Sequence, residues 1–184
     1  MSLLGVAVVV VGAIGCLNLL LTFGVVRRLR EHTTLLAEGQ GGGYPRARPD
    51  AGAVIDAFEA TTTTGEPVSP AALKPDTLVG FFSSTCEPCA KLLPEFVKTA
   101  AGLPGGRDQV LAIVAGDAVA AAPLVEALSP VARLVAADDA RTVGAAFGVE
   151  AFPSLFVVGP DARTAASAGD LTALRRQAPS GMFR

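Results

Sequence analysis

Two cysteines, Cys86 and Cys89, are the residues of this chain whose type and spacing could do chemistry. They enclose Glu87 and Pro88, and they lie between a predicted strand and a predicted helix. A helix N-terminus presents unpaired backbone N–H groups and the positive end of a dipole, which together stabilise a thiolate on Cys86. Cys89, one turn inside the helix, is then placed to close a disulfide with it. The arrangement indicates thiol–disulfide exchange.

Zinc binding and structural cross-linking are the other uses of such a cysteine pair. A structural zinc ion takes about four ligands, but the only other Cys of the chain is Cys16 and its only His is His32, both before the predicted domain. A structural disulfide that closes so short a loop constrains the unfolded chain little, so it stabilises a fold poorly. The position between a strand and a helix therefore favours a redox pair. We expect no metal, and no cofactor other than a redox-active Cys86–Cys89 disulfide.

An apolar segment near the N-terminus predicts a membrane anchor. No Asp, Glu, Lys, Arg or His occurs from Leu3 to Val26, and as a helix these residues span roughly 36 Å, enough to cross a bilayer. No basic residue precedes the segment, which is also longer than the apolar part of a usual signal peptide. Cys16 faintly resembles a lipoprotein cleavage site, but the chain stays apolar after it. We expect an uncleaved, single-pass anchor in the lipid bilayer of the cell membrane.

The charge of the chain bears on its partners and on its orientation. The net charge is −2 and no basic stripe is present, which argues against nucleic acid as a partner. Arg27, Arg28 and Arg30 follow the apolar segment. By the positive-inside bias, these arginines place the C-terminal part of the chain in the cytoplasm.

Glycine and proline divide the chain into three parts. Residues 1–38 are predicted to be the transmembrane anchor and a juxtamembrane helix. Residues 39–52, rich in Gly, Pro and Arg, form a flexible linker because such a composition does not support a packed element. The folded domain is then residues 53–184, an ordinary length for one domain.

Strand-like and helix-like segments alternate within residues 53–184, which predicts an α/β domain with a mostly parallel sheet and helices on both faces. A hairpin of strands at 57–61 and 67–68 comes first, followed by a helical turn at 69–73. The strands of the sheet are predicted at 77–82, 109–115, 131–136, 154–158 and 164–168. The helices are predicted to begin near Cys86 and to cover 118–128, 139–147 and 171–177. Pro94 should interrupt and kink the first helix.

The segment from Leu78 to Pro94 resembles the active-site strand and helix of the thioredoxin-like superfamily. Pro94 matches the proline that this superfamily carries five residues after its second cysteine. The segment from Gly148 to Val157 is similar to its Gly-Val…Pro-Thr/Ser segment. The resemblance implies a thioredoxin-like fold with a central mixed sheet flanked by helices. It also implies that the Phe152–Pro153 bond is cis and faces the disulfide, where Pro153 blocks metal capture and the backbone beside it pairs with a substrate strand.

The organisation of the whole chain looks like that of the membrane-anchored TlpA/ResA/MauD group within this superfamily. Cys89 and Pro153 are separated by 63 residues, enough for an extra strand–helix insert, and an N-terminal hairpin precedes them. The resemblance implies protein disulfide or dithiol substrates, a membrane or soluble dithiol donor, and a domain on the extracytoplasmic side, against the arginine bias. The substrate contacts that it implies are Thr85, Glu87, Pro88, Phe152 and Pro153.

Three positions depart from the superfamily pattern. Thr85 stands where a Trp usually precedes the first cysteine, and the chain has no Trp. Gly80 replaces a buried acid that assists deprotonation of the second thiol. Glu87, between the cysteines, either opposes a thiolate on Cys86 or points to solvent as a favourable acid of the first helical turn.

Other classes of function stay open from the sequence. A peroxiredoxin-like peroxidase shares the fold, although Thr85 directly precedes Cys86 and the proline of the peroxidase motif is missing. A copper-delivery protein needs Cys-x-x-x-Cys and a distant histidine, whereas this chain has Cys-x-x-Cys and no histidine in the predicted domain. A non-catalytic module that only docks partners requires no chemistry from the cysteines.

Overall fold

The structure is a computed structural model that describes residue 12 and residues 49–183. Apart from residue 12, the predicted anchor and juxtamembrane helix lie outside the described residues, as does most of the predicted linker. In the described part of the chain, no helix is long and apolar enough to cross a membrane. Residues from 49 onward belong to one folded unit, Ala47–Arg184, which contains both Cys86 and Cys89.

Strands and helices alternate along residues 49–183 as the sequence predicts. The strands are β1 (Ala60–Thr61), β2 (Pro67–Val68), β3 (Leu78–Ser83), β4 (Val110–Ala115), β5 (Arg133–Ala136), β6 (Ser154–Val158) and β7 (Thr164–Ala168). The α-helices are α1 (Glu87–Ala101), α2 (Ala118–Leu128), α3 (Asp138–Ala146) and α4 (Leu171–Gln177). Short 3-10 helices occupy Pro70–Ala72, Gly106–Gln109 and Pro160–Ala162.

The central sheet is mixed, with strand order β5-β4-β3-β6-β7, while β1 and β2 form a separate antiparallel hairpin. β3 pairs in parallel with β4, and β4 with β5. β6 is antiparallel to both β3 and β7. The mixed sheet is therefore confirmed, but the expectation of a mostly parallel sheet is wrong. Only residues 159–163 join β6 to β7, which is too short for the crossover that a parallel pair requires.

The long segment between the cysteines and Pro153 contains the extra strand and helix. α2 and β5 follow β4, and β5 adds an edge strand to the sheet beside β4. Both parallel crossovers begin at one edge of the sheet, where the carboxyl ends of β3 and β4 lie side by side. The insert therefore places a second loop, the one before α2, next to the loop that carries the cysteines.

Both faces of the sheet are buried, which explains the nearly continuous apolar runs of β3, β4 and β6. One face packs against α1, α2 and α4. The other packs against α3 and the hairpin. On that second face, the rings of Phe81, Phe147 and Phe156 lie with their centroids 5.3 to 5.6 Å apart. This aromatic cluster joins α3 to β3 and β6.

Residues just before the hairpin cover the outer edge of β7. The N–H of Gly52 donates to the carbonyl of Thr164 at 2.6 Å, and the N–H of Thr164 donates to the carbonyl of Ala53 at 2.9 Å. The hydroxyl of Ser167 donates to the carbonyl of Pro49 at 2.6 Å. Covering an edge in this way removes a template for pairing with another chain.

Helix α1 runs without interruption through Pro94, so the expectation that this proline interrupts the helix is wrong, while the expected kink stays a prediction. Leu92 and Phe96, on either side of it in the sequence, are buried, whereas Pro94 is exposed. Burial of this apolar face offsets the hydrogen bond that a proline removes. Two strands are also shorter than predicted, because β1 begins at Ala60 and β5 at Arg133.

Gly80 in the middle of β3 tests how tightly the core is packed. A Cβ added there would lie 2.8 Å from ring atoms of both Phe82 and Phe96. We expect Gly80→Ala to lower the free energy of unfolding by about 1–3 kcal/mol, as is usual for an overpacked core. A urea titration of the full chain measures the effect.

Gly144→Ala is the matched control for this substitution. Gly144 lies inside α3, and a Cβ added there would meet no atom within 4 Å. Ala is favoured over Gly inside a helix, so this variant should gain about 0.5–1 kcal/mol. Equal effects of the two substitutions would show that the space around Gly80 is not filled as described.

Candidate active site

Cys86 and Cys89 form a disulfide, and their Cα atoms are 5.2 Å apart. The two residues differ in burial, because Cys86 is partly exposed while Cys89 is 0% exposed. An incoming molecule therefore meets the sulfur of Cys86 first. Cys89 lies in the apolar core between the sheet and α1, where Cys86 is the thiol partner within reach.

The end of β3 and the start of α1 hold Cys86 in place. Cys86 is the N-cap residue of α1, with an extended backbone, and its Sγ accepts a hydrogen bond from the N–H of Cys89 at 3.2 Å. Its carbonyl accepts from the N–H groups of Cys89 and Ala90 at 3.1 and 3.3 Å. Pro88 in the first turn is tolerated because its missing N–H would have no partner within the helix. The sulfur of Cys86 thus lies at the positive end of the α1 dipole.

Glu87 points to solvent rather than to the sulfurs. Its carboxylate pairs with Nζ of Lys91, one turn further along α1, at 2.7 Å, and the two side chains are 80% and 76% exposed. An ion pair this exposed contributes little to stability. Of the two interpretations from the sequence, the structure therefore supports an acid of the first helical turn that faces solvent. Thr85 and Pro88, the other two predicted contacts in this loop, are also exposed.

The bond between Phe152 and Pro153 is cis, as the resemblance implies. Ser154, the first residue of β6, pairs with Phe81 near the end of β3. This register brings Pro153 to the edge of the sheet from which the cysteine loop departs. Pro153 is buried, while Phe152 is 38% exposed and offers an apolar surface at that edge. A direct approach of Pro153 to the disulfide remains a prediction.

Two phenylalanines fill the space where the superfamily pattern places a buried acid. The rings of Phe82 and Phe96 meet edge to face beside Gly80, with centroids 5.0 Å apart. Both belong to the apolar cluster that also contains Cys89. The sequence shows that a glycine replaces the acid. Only the fold shows that aromatic rings from β3 and α1 fill the space that the side chain of the acid would occupy.

Gly116, which follows β4, is a site residue that the sequence reasoning missed. Its φ of +124° favours glycine, and an added Cβ would collide with the hydroxyl of Ser84. The N–H of Ser84 also donates to the carbonyl of Ala115 at 3.1 Å. Gly116 therefore allows the loop after β4 to pack closely against the loop that leads to Cys86. A glycine directly after a buried strand was the signal in the sequence.

A cleft of about 800 Å³ lies away from the cysteines, between the hairpin and the turn after β6. Ile55, Phe58 and Leu73 are among the residues that line it.

Within residues 49–183, no three His, Cys, Asp or Glu side chains are grouped to hold a metal ion. The expected absence of a metal and of a separate cofactor remains a prediction.

Solved structures with the same fold come from several bacteria. The thioredoxin domain of a thiol-disulfide oxidoreductase from Bacteroides vulgatus has a TM-score of 0.56 and 19% identity, and the match covers 70% of this chain and 94% of that one. A thio-disulfide isomerase from Thermus thermophilus has a TM-score of 0.54 and 22% identity, covering 66% and 87%. A thiol-disulfide oxidoreductase from Bacteroides fragilis has a TM-score of 0.53 and 15% identity, covering 67% and 96%.

No protein-family model matches the chain, and no curated protein matches it. At the identities of the solved structures, the likeness establishes the fold. Residues 49–183 have a thioredoxin-like fold: a mixed sheet with helices on both faces and a Cys-x-x-Cys disulfide at the start of α1.

The difference in burial between the two cysteines predicts a difference in alkylation. We expect a short pulse of iodoacetamide on the reduced chain to label Cys86 at least about tenfold faster than Cys89, because only an accessible thiolate reacts readily. Peptide mass spectrometry measures both sites, and guanidine-unfolded chain gives the intrinsic reactivity of each. Equal labelling in the folded chain would contradict the burial of Cys89.

Proposed function

We propose that this chain is a thiol–disulfide oxidoreductase that exchanges its Cys86–Cys89 disulfide with cysteines of protein substrates. The observation that carries the proposal is the disulfide between a partly exposed cysteine at a helix N-terminus and a fully buried one. An accessible thiolate is a nucleophile for a disulfide of another molecule. A buried neighbour reacts within the chain instead.

In the reducing direction, the Cys86 thiolate attacks one sulfur of a substrate disulfide. The Cys86–substrate bond forms as the substrate disulfide breaks, and one substrate thiolate leaves. The Cys89 thiolate then attacks the sulfur of Cys86, which releases the second substrate thiolate and closes the Cys86–Cys89 disulfide. Two electrons pass to the substrate, and a membrane or soluble dithiol donor must return two electrons to the pair.

The superfamily pattern places a buried carboxylate where it assists deprotonation of the second cysteine. This chain has no carboxylate at that position to assist deprotonation of Cys89. Gly80 stands at that position, and Phe82 and Phe96 fill its surroundings. In our proposal, the substrate thiolate released in the first step takes the proton, either directly or through water. The leaving group thus serves as the base for the second step.

Exposed residues around Cys86 form the proposed contact surface for the substrate. Thr85, Glu87 and Pro88 are exposed neighbours of Cys86 in the sequence, and Phe152 adds an apolar side chain at the same edge of the sheet. In the proposal, the backbone beside Pro153 pairs with an extended segment of the substrate.

A membrane tether on the extracytoplasmic side completes the proposal. Residues 3–26 would anchor the chain in the bilayer, and the residues after them would reach the redox domain through the linker. Disulfides persist outside the cytoplasm, so protein substrates of a disulfide exchange reaction are most abundant there. The cluster Arg27, Arg28 and Arg30 favours the opposite orientation.

Replacing Cys89 with Ser removes the second step and tests the exchange mechanism. We expect the C89S chain, mixed with a disulfide-containing protein, to accumulate a mixed disulfide through Cys86 that dithiothreitol releases. Non-reducing electrophoresis and mass spectrometry detect the adduct. The C86S chain is the matched control and should form at least about tenfold less adduct in the redox domain, because the thiol of Cys89 that remains there is buried.

If C89S accumulated no thiol-sensitive adduct with any disulfide probe, the exchange mechanism would lose its basis. An assay of hydrogen peroxide consumption in the presence of a thiol reductant distinguishes the peroxidase alternative from disulfide exchange, because a peroxidase would consume the peroxide. Absence of both reactions would leave a module that only docks partners.

Labelling of intact cells tests the orientation of the domain. We expect a membrane-impermeant maleimide to label Cys86 in cells that produce the full chain, after mild reduction and before lysis. A C16S/C89S chain, in which Cys86 is the one remaining cysteine, avoids competition from other thiols, and a cytoplasmic protein with an exposed cysteine controls for leakage. Labelling only after lysis would place the domain in the cytoplasm.

Extraction of membranes with alkaline carbonate tests the anchor. Release of the chain from membranes by this treatment would count against the anchor.

A further inference from the structure

A second concave feature lies next to the cysteine loop, at the carboxyl ends of β4 and β5. It is an apolar pocket of about 470 Å³ between these strands and α2. Most of its lining consists of small or aliphatic side chains. The lining residues are Val114, Gly116, Ala118, Ala121, Ala122, Val125, Glu126, Ala136 and Ala137.

The wall of this pocket is continuous with the site of exchange. Gly116 lines the pocket, and a Cβ added to it would collide with the hydroxyl of Ser84, two residues before Cys86. Val114 and Ala121, on the pocket floor, belong to the same apolar cluster as Cys89. The pocket therefore lies on the same face of the sheet as the disulfide, and its mouth opens at the same edge.

The chemistry of the lining selects a class of ligand. Exposed alanines at positions 118, 122 and 137 leave the mouth wide, while Val114 and Ala121 form a buried apolar floor. Glu126 is the charged member of the lining. An apolar concavity with one acid at its rim favours an aliphatic side chain that has a basic residue beside it.

We propose that this pocket binds an aliphatic side chain of the substrate polypeptide, with a basic neighbour near Glu126, while Cys86 attacks the substrate cysteine. The inference rests on the proposed exchange function, which it extends to substrate selection. Insertion of the side chain removes apolar surface from water on both molecules. It also holds the substrate sulfur close to Cys86 during the first step.

Peptide disulfides provide a direct probe. Each peptide carries one cysteine as a mixed disulfide with thionitrobenzoate, a good leaving thiolate. The Cys86 thiolate of the pre-reduced full chain attacks the peptide sulfur and coloured thionitrobenzoate leaves; Cys89 then releases the peptide thiol. Three peptides differ only at the positions two and three residues away from the cysteine, on both its N-terminal and its C-terminal side. These positions carry Leu and Lys in the first peptide, Gly and Lys in the second, and Leu and Glu in the third.

Wild-type chain should react about tenfold faster with the Leu-Lys peptide than with the Gly-Lys peptide. Ala122→Leu fills the pocket and should bring that ratio close to one. Ala120→Leu is the matched control, because Ala120 is an exposed residue of the same helix outside the lining. It should keep the tenfold ratio. Glu126→Gln should remove the preference for the Leu-Lys peptide over the Leu-Glu peptide.

Each rate is divided by the rate of the same variant with the symmetric thionitrobenzoate disulfide, which has no peptide to bind. No reaction of wild-type chain with that small disulfide would overturn the exchange function itself. Normal reaction with it, together with a Leu/Gly ratio near one or an equal ratio in A122L and A120L, would overturn the pocket alone. A Lys/Glu preference that persists in E126Q would overturn the role of the acid.

Discussion

The junction between β3 and α1 is the constraint on which the chemistry of this chain depends. It makes Cys86 a partly exposed N-cap residue of a helix, and it places Cys89 one turn later in the apolar core. The register of β3 fixes where the helix begins, because a shift would break the ring contacts that Phe81 and Phe82 make on opposite faces of the sheet. The difference between the two sulfurs therefore follows from the packing of the whole sheet.

The mixed topology brings separate parts of the chain to this junction. The parallel neighbour β4 ends beside it, and the loop after β4 packs against Ser84 through Gly116. The antiparallel neighbour β6 begins there, which brings Phe152 and Pro153 to the same edge. One side of the cysteine loop thus has an aromatic surface and a cis-proline, and the other has an apolar pocket. A substrate bound at Cys86 would lie between them.

Local features of the sequence predicted much of this site. The cysteine spacing between a strand and a helix located the disulfide, and the resemblance around Pro153 located the cis bond. Interactions between distant residues were not predictable in the same way. The filling of the space at Gly80 depends on Phe96, sixteen positions further along the chain. Similarly, Pro94 weakens a helix locally, but burial of Leu92 and Phe96 maintains it. The antiparallel pairing of β6 with β7 follows from the short connection between them rather than from the composition of either strand.

Rapid acid quenching followed by mass spectrometry tests the central claim most directly. Reduced wild-type chain is mixed with one equivalent of a peptide disulfide, and samples are quenched over milliseconds to minutes. The account predicts a transient adduct on Cys86 alone, which decays as the Cys86–Cys89 disulfide appears. An adduct on Cys89, or a chain that stays fully reduced, would contradict it.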